Sequence, residues 1–442
     1  MKIRYSLFLL LLSSSSLFAM EFQSIGYQSM SMGGTGVAVA SGAMAGYYNP
    51  ALLSNPQPQG SLALGIGAGV RENNLGEQID QLTKIGFEES LDNIAQNAQT
   101  ATPINATTLQ GHNQAIDREN ITQGQTLLRS IGTQNGISVM PSVYLSGKME
   151  TIGFGIYGTG EISVTAHVDT ERLELSLQDP DHPNIYYHYD PLSDQYQLIS
   201  EEEYNQNSVK AAIQEGGTTY IDGKGLVLVE VPISYAQAYD TDQGSLSIGG
   251  SIKYMQGTTY VQRLDIETKS SDATDAVDEN ERKSNNVGLD LGLLFQPNTL
   301  EDLSIGLVAK NINAPSFDTA NGEDITIDPQ VRTGVLYQAS EAVDLAVDLD
   351  LTSNETFIPG YDSQQLGMGV NYHPYQWFSL RAGVISNLAD SSEGVIYTTG
   401  FGLGHERLSV DLAAQISSKS GNYDGEDIPR YARFNVALTS RW

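Results

Sequence analysis

Few groups in this sequence are spaced for chemistry. Gly153-Phe154-Gly155-Ile156-Tyr157-Gly158 fits the G-x-G-x-x-G spacing that cradles a dinucleotide pyrophosphate. That use needs a strand before the glycines and a helix N-terminus after them, so that backbone N–H groups aim at the phosphates. Here the motif lies inside a run of alternating apolar residues, which predicts a strand with glycine on one face. Asp179, Asp181 and His182 in "DPDHPN", and Asp240 and Asp242 in "DTDQG", offer oxygen ligands of the kind calcium takes. The same residue types build ordinary turns, and the second group lacks the bidentate Glu of a calcium loop. The six histidines are scattered without metal-ligand spacing. There is no G-x-S-x-G elbow, and no grouping of Ser, His and acid stands out. The residues therefore predict no catalytic group, no metal and no cofactor.

A different pattern does need positioning. Lys253, Lys310, Arg332, Arg381, Arg433 and Arg441 share the inward parity of alternating segments with Asp290, Asp344, Asp348, Asp350 and Asp411. Two readings stand for them: the lining of a selective path, or ion pairs that hold an enclosed segment. Both signs in one lumen set no strong selectivity, and partly buried charges need partners. On the second reading, Arg381 is expected to pair with the acidic cluster around Asp348.

The elements that carry these residues are strands. "SLALGIGAGV", "NVGLDLGLLF", "AVDLAVDLDL" and "RLSVDLAAQIS" alternate strictly between apolar and polar or small residues, the period of a two-faced strand. About fourteen such segments begin near residues 61, 136, 151, 223, 244, 284, 302, 329, 342, 362, 376, 393, 407 and 430. Their connections alternate in length. Residues 71–135, 168–222 and 265–284 are long, whereas "SGKMET", "YDTDQG" and "PNTLED" between them are short, and later links keep that order. Short turns on one side and long loops on the other characterise transmembrane β-barrels of even strand number. The two tryptophans, Trp377 and Trp442, fall at the short-turn end, with Tyr337, Tyr372, Tyr144, Tyr239, Phe295 and Tyr375, and predict an aromatic girdle at the headgroup level. The apolar parity then faces lipid, and closure removes every sheet edge.

Composition agrees with an exported chain. The sequence has 442 residues, no cysteine and a formal net charge of −30, which excludes disulfide frameworks and opposes direct nucleic-acid binding. Lys2 and Arg4, the apolar run Leu7 to Leu12 and Leu17-Phe18-Ala19 predict a secretory signal peptide over residues 1–19. Two inserts break the strand pattern. Leu75, Ile79, Leu82 and Ile85, then Leu91 and Ile94, recur at helical spacing and predict an αα-hairpin within 71–135, its second helix around 105–132. Residues 168–222 predict an acidic, β-rich flap. Pro141 and Pro232 fall within strands, where proline marks a bulge or a kink.

Before the first strand, "SIGYQSMSMGGTGVAVASGAMAGYYNPALLS" resembles the N-terminal plug of the long-chain fatty-acid transporter (FadL-like) superfamily, with Asn49-Pro50-Ala51 as its motif. Within that superfamily "GSLSIGGSIKYMQGTTY", "LSIGLVAKNINAPSF" and "QQLGMGVNYHPYQWFSLRAGV" are similar to the TraF-like outer-membrane proteins of conjugal transfer. The resemblance implies a fourteen-stranded barrel over residues 61–442, with residues 20–60 folded inside it as a hatch and both termini in the periplasm. It implies passive uptake of hydrophobic or amphipathic small molecules or, alternatively, a structural role in conjugal transfer or protein export. Expected partners are outer-membrane lipid and lipopolysaccharide, the insertion machinery through the C-terminal strand ending at Trp442, and hydrophobic molecules or transfer proteins.

Overall fold

The computed structural model describes residues 20–40, 42–56, 58–87, 89–91, 93–94, 115–132, 134–179, 182–190, 195–213, 216–265, 280–405 and 407–442. The signal-peptide residues, and Asp181 of the calcium candidate, lie outside that set. Fourteen barrel strands form: β1 (Gly60–Asn73), β2 (in two halves, Gly136–Val139 and Ser142–Met149), β3 (Ile152–His167), β4 (Tyr220–Thr241), β5 (Gly244–Asp265), β6 (Glu281–Pro297) and β7 (Leu303–Lys310). There follow β8 (Gln330–Ser340), β9 (Val343–Asp350), β10 (Gln365–Tyr375), β11 (Phe378–Asn387), β12 (Val395–His405), β13 (Leu408–Ser417) and β14 (Tyr431–Arg441). Each pairs antiparallel with its sequence neighbours. β14 closes the ring on β1 from Ser61↔Arg441 to Arg71↔Tyr431.

The two-residue period decides which face each side chain takes. In β1, Leu62, Leu64 and Ile66 are 39, 51 and 62 % exposed while the intervening Ala63 is 1 % exposed. The same outward apolar belt continues around the ring, for example at Ile248, Ile252, Leu291, Leu345, Val410 and Val436. A protein that leaves so many large apolar side chains uncovered needs lipid as the medium around them. Among the described residues no helix is long and apolar enough to cross a membrane.

The prolines do not open the wall. β2 is interrupted at Met140-Pro141, but Gly69 N donates to Met140 O at 3.0 Å, Met140 N to Gly69 O at 2.8 Å, and Gly160 N to Pro141 O at 3.1 Å. Opposite Pro232 the β3–β4 register runs Phe154↔Ile233, then Tyr157↔Glu230, so two pairings drop out with no slip. Proline has no N–H to give there, and the strands stay side by side. G-x-G-x-x-G likewise lies wholly within β3, paired to β2 throughout and to β4 except at Gly155 and Ile156, with no helix after it.

At the long-loop end, helices Leu75–Lys84 and Ala115–Ser130 pack together, and residues 168–222 carry a three-stranded sheet of Ser176–Gln178, Tyr186–Asp190 and Gln195–Ile199. Two short helices missed in the sequence, Glu201–Asn207 and Val209–Ile213, complete that flap. Asp179 Oδ1 accepts from His182 N at 3.1 Å, which spends one oxygen of that calcium candidate on a local backbone contact. Tyr144 corrects the girdle expectation. It points inward, 1 % exposed, and its hydroxyl donates to Asn435 at 3.2 Å.

Residues 20–55 fill the barrel. They fold as short turns, among them helix Tyr27–Ser31 and the 3-10 turn Pro50–Ser54. Phe22, Ile25, Tyr47, Tyr48, Leu52 and Leu53 pack against inward Tyr157, Leu294 and Val308. The protein core is thus the contact between this plug and the inner wall.

Candidate functional site

The plug meets the wall through its own backbone. Asn49 is extended and caps the turn Pro50–Ser54, its Oδ1 accepting from Ala51 N at 3.0 Å. Its Nδ2 donates to Val37 O within the plug at 2.9 Å and to Leu293 O of β6 at 3.0 Å. Pro50 suits the first position of a turn, where a backbone N–H would be spare. The wall beside this motif is bare: a Cβ on Gly292 would overlap Asn49 Oδ1, and one on Gly249 would overlap the Pro50–Ala51 peptide. Across the lumen Gly33, at φ +69°, rests on the carbonyls of Met368 and Val384.

Charges finish the docking. Asp348 of β9 accepts from Gly36 N at 2.7 Å and Val37 N at 3.0 Å, capturing a tight turn of the plug. Arg332 of β8 pairs with Asp350, its Nη2 at 3.0 Å from Oδ2, and its guanidinium lies 4.0 Å from the Phe22 ring centroid. Lys253 of β5 sits between Glu230 at 2.7 Å and Asp290 at 3.2 Å. Lys310 lies 3.8 Å from the Tyr47 ring centroid. Arg381 pairs with Asp411 at 3.0 Å, not with the carboxylates around Asp348. Parity had placed both groups in the lumen, but rows of the sheet decide which can touch. Asp344, nearer the short turns, takes Asn371 Nδ2 at 2.9 Å and His373 Nε2 at 3.0 Å.

Sequence reading missed two features. At the long-loop end Arg71 is enclosed by Glu21 of the plug at 2.9 Å, Glu161 of β3 at 3.7 Å and Glu393, and lies 4.8 Å from the Tyr361 ring centroid. Burial pushes the Glu393 carboxyl above its ordinary value, against the pull of Arg71. Arg71, Glu21, Glu161, Tyr361 and Glu393 come from five distant segments, and no local spacing announces them. Second, Leu226, Leu228 and Met255 turn inward on β4 and β5 and form an apolar cluster with Met20, Phe317, Ile325, Ile327 and Phe357. The run "GLVLVEV" carried that signal, since apolar residues occupy both parities there.

At the opposite, short-turn end a cavity of about 760 Å³ opens beneath Ala38, Val39 and Ala40 of the plug, with Asp344, Asn371, His373, Arg381 and Arg441 in its lining. Trp377, Tyr372, Tyr337 and Trp442 stand exposed around this rim, Trp377 stacked on Tyr375 with centroids 5.5 Å apart. Among the described residues no three His, Cys, Asp or Glu converge as a metal site.

The family described as "F plasmid transfer operon, TraF, protein" matches residues 46–350. No curated protein matches the chain. Among solved structures, the Pseudomonas putida toluene transporter TodX is similar over 96 % of this chain and 99 % of its own, at 12 % identity and a TM-score of 0.46. The CymD monoaromatic hydrocarbon channel aligns over 95 % and 97 %, at 14 % identity and 0.47. A Pseudomonas aeruginosa FadL homologue aligns over 94 % and 98 %, at 10 % identity and 0.44.

Proposed function

This chain belongs to the family of the F plasmid transfer operon TraF protein, and from that premise we propose that it is an outer-membrane channel-like protein for passive uptake of hydrophobic or amphipathic small molecules. One observation carries the reading. The wall of a water-filled lumen is polar inside, yet here Leu226, Leu228 and Met255 face inward at the long-loop end and meet Phe317, Ile325, Ile327 and Phe357. Apolar surface gathered there, out of reach of lipid, gives a hydrophobic molecule a place to leave water. The hairpin carrying Phe317 and Ile325 covers it, and the plug lies below, so passage requires both to move along with the molecule's own gradient.

The supporting expectations follow the same frame. Residues 1–19 direct export, short turns face the periplasm, and the strand ending at Trp442 presents the insertion machinery with its recognition end. The acidic long loops meet cations held between lipopolysaccharide phosphates. The test is uptake of radiolabelled toluene and of a long-chain fatty acid in deletion and complemented cells. Complementation should restore uptake, and Leu228→Glu should lower it severalfold while the barrel still shifts on unheated electrophoresis. Unaltered uptake of every hydrophobic candidate after deletion would retire the proposal.

A second reading is favoured by how firmly the plug is tied down and by the unbroken ladder at Met140-Pro141. It makes the protein a structural component of conjugal transfer or protein export. Transfer frequency that collapses on deletion while uptake stays level would select it.

A further inference from the structure

The entry segment of the plug, residues 20–25, forms neither helix nor strand, and among the described residues its N–H and C=O groups join no backbone–backbone hydrogen bond. Side chains hold it instead. Gln330 Nε2 donates to Met20 O, the Tyr47 hydroxyl to Gln23 O at 2.9 Å, and Arg433 Nη2 to Gln23 Oε1 at 3.1 Å. Its one ionisable side chain, Glu21, is tied to Arg71 of β1, with Oε2 2.9 Å from Nη2. Arg71 draws four further elements to that tie. Glu393 of the β11–β12 loop pairs with Nε, and Glu161 of β3 stands 3.7 Å from Nη1. Tyr361 of the β9–β10 loop and Tyr431 of β14 lay their rings against the guanidinium, with centroids at 4.8 and 5.5 Å. None of the four charged side chains is more than 4 % exposed.

The joint is one cation short. The other charge facing it is Arg433 of β14, while the polar neighbours Ser138 and Asn387 are engaged by Ser163 at 2.6 Å and the Tyr361 hydroxyl at 3.3 Å. Three carboxylates therefore meet two guanidiniums in a buried space, with one negative charge in excess. Glu161 bears that excess, since neither of its oxygens has a hydrogen-bond partner. A buried charge without partners is costly, and one proton on this carboxyl removes it. We propose that the joint is a proton-operated latch: a proton taken up at Glu161 closes it on Glu21, and loss of that proton as pH rises frees residues 20–25 while the rest of the plug stays docked. Glu393, outside the strands, gives the sign. Burial raises its carboxyl above the ordinary value against the pull of Arg71. A group raised on folding stabilises fully below its unfolded pKa of about 4.3 and ceases to do so as pH rises through the folded value. The latch thus tightens in acid and slackens toward alkaline pH, under either reading of the protein's role.

The test is hydrogen exchange of the protein in detergent at about pH 5.5 and about pH 8.5, corrected for the intrinsic chemical rate. Protection of residues 20–25 should fall roughly tenfold or more between the two, since losing one linked proton changes an equilibrium by up to tenfold per pH unit. Residues 45–54, tied to the wall through the amide of Asn49, should change by less than about twofold. Glu161→Gln, which keeps the shape of the protonated acid, should leave residues 20–25 protected at both values. Glu21→Gln, which balances the charges, should flatten the response as well. Should Glu161→Gln not fold, the wild type and Glu21→Gln still decide. Flat protection across this range in the wild type overturns the latch. So does an equal response at residues 45–54, or a pH response that persists in the folded variants.

Discussion

Asn49 joins three parts of the molecule with one amide: Ala51 in its own turn, Val37 elsewhere in the plug, and Leu293 in the wall. Replacing it by alanine leaves two buried carbonyls without their donor and removes a cap, a loss of about 1–3 kcal/mol in plug docking. Hydrogen exchange of residues 36–54 should accelerate in Asn49→Ala while strand amides stay protected. Arg332 gives a second case. Its side chain and that of Asp350 are both nearly inaccessible, so Arg332→Met alone strands a buried carboxylate and should cost about 3–5 kcal/mol. Arg332→Met with Asp350→Leu should recover most of that loss, read as the urea midpoint of the electrophoretic shift. Residue types and parity were enough to place these charges in the lumen. They could not assign partners: Arg381 reaches Asp411 rather than Asp348 because the stagger between strands, which no one strand encodes, sets the rows.

Among the elements, strands were the most legible. Expected starts at 136 and 244 coincide with those of β2 and β5, and that at 284 differs from Glu281 by three residues. Alternation survives because each strand divides two media, lipid and lumen, along its whole crossing. The αα-hairpin was legible for a similar reason, since Leu75, Ile79 and Leu82 recur on one helix face. The small helices of the flap were not, as Glu201–Asn207 has no apolar stripe and depends on a cap. Ser200 and Glu203 form that capping box, and the Ser200 N–H, then its hydroxyl, hold the Glu203 carboxyl below its ordinary value. A carboxylate depressed on folding supports the helix above its unfolded pKa of about 4.3 and ceases to do so as pH falls through the lower folded value. Exchange at residues 201–207 should therefore quicken on acidification in the wild type and be fast at neutral pH in Glu203→Ala, with strand amides unaffected.

For the whole molecule, the apolar exterior governs behaviour. Ile252, 57 % exposed on β5, lies within the lipid-facing run that ends at Tyr254. Ile252→Arg should cost about 2–4 kcal/mol when the barrel folds into vesicles, whereas a polar change on the long loops should cost almost nothing. A folding midpoint unmoved by that arginine would mean that this face does not contact hydrocarbon. The ring is nevertheless uneven in height. β4 and β5 each run 22 residues, about twice the 9–11 that a bilayer requires, and their turn lies at the short-turn end. The surplus must rise on the other side, roughly 25–30 Å at the usual tilt. It forms a rampart on one flank, with the flap of residues 168–222 seated beside its crest. Anything approaching the barrel from its long-loop end would touch that negatively charged parapet well before reaching the plug, so the first surface it encounters is one that strand periodicity says nothing about.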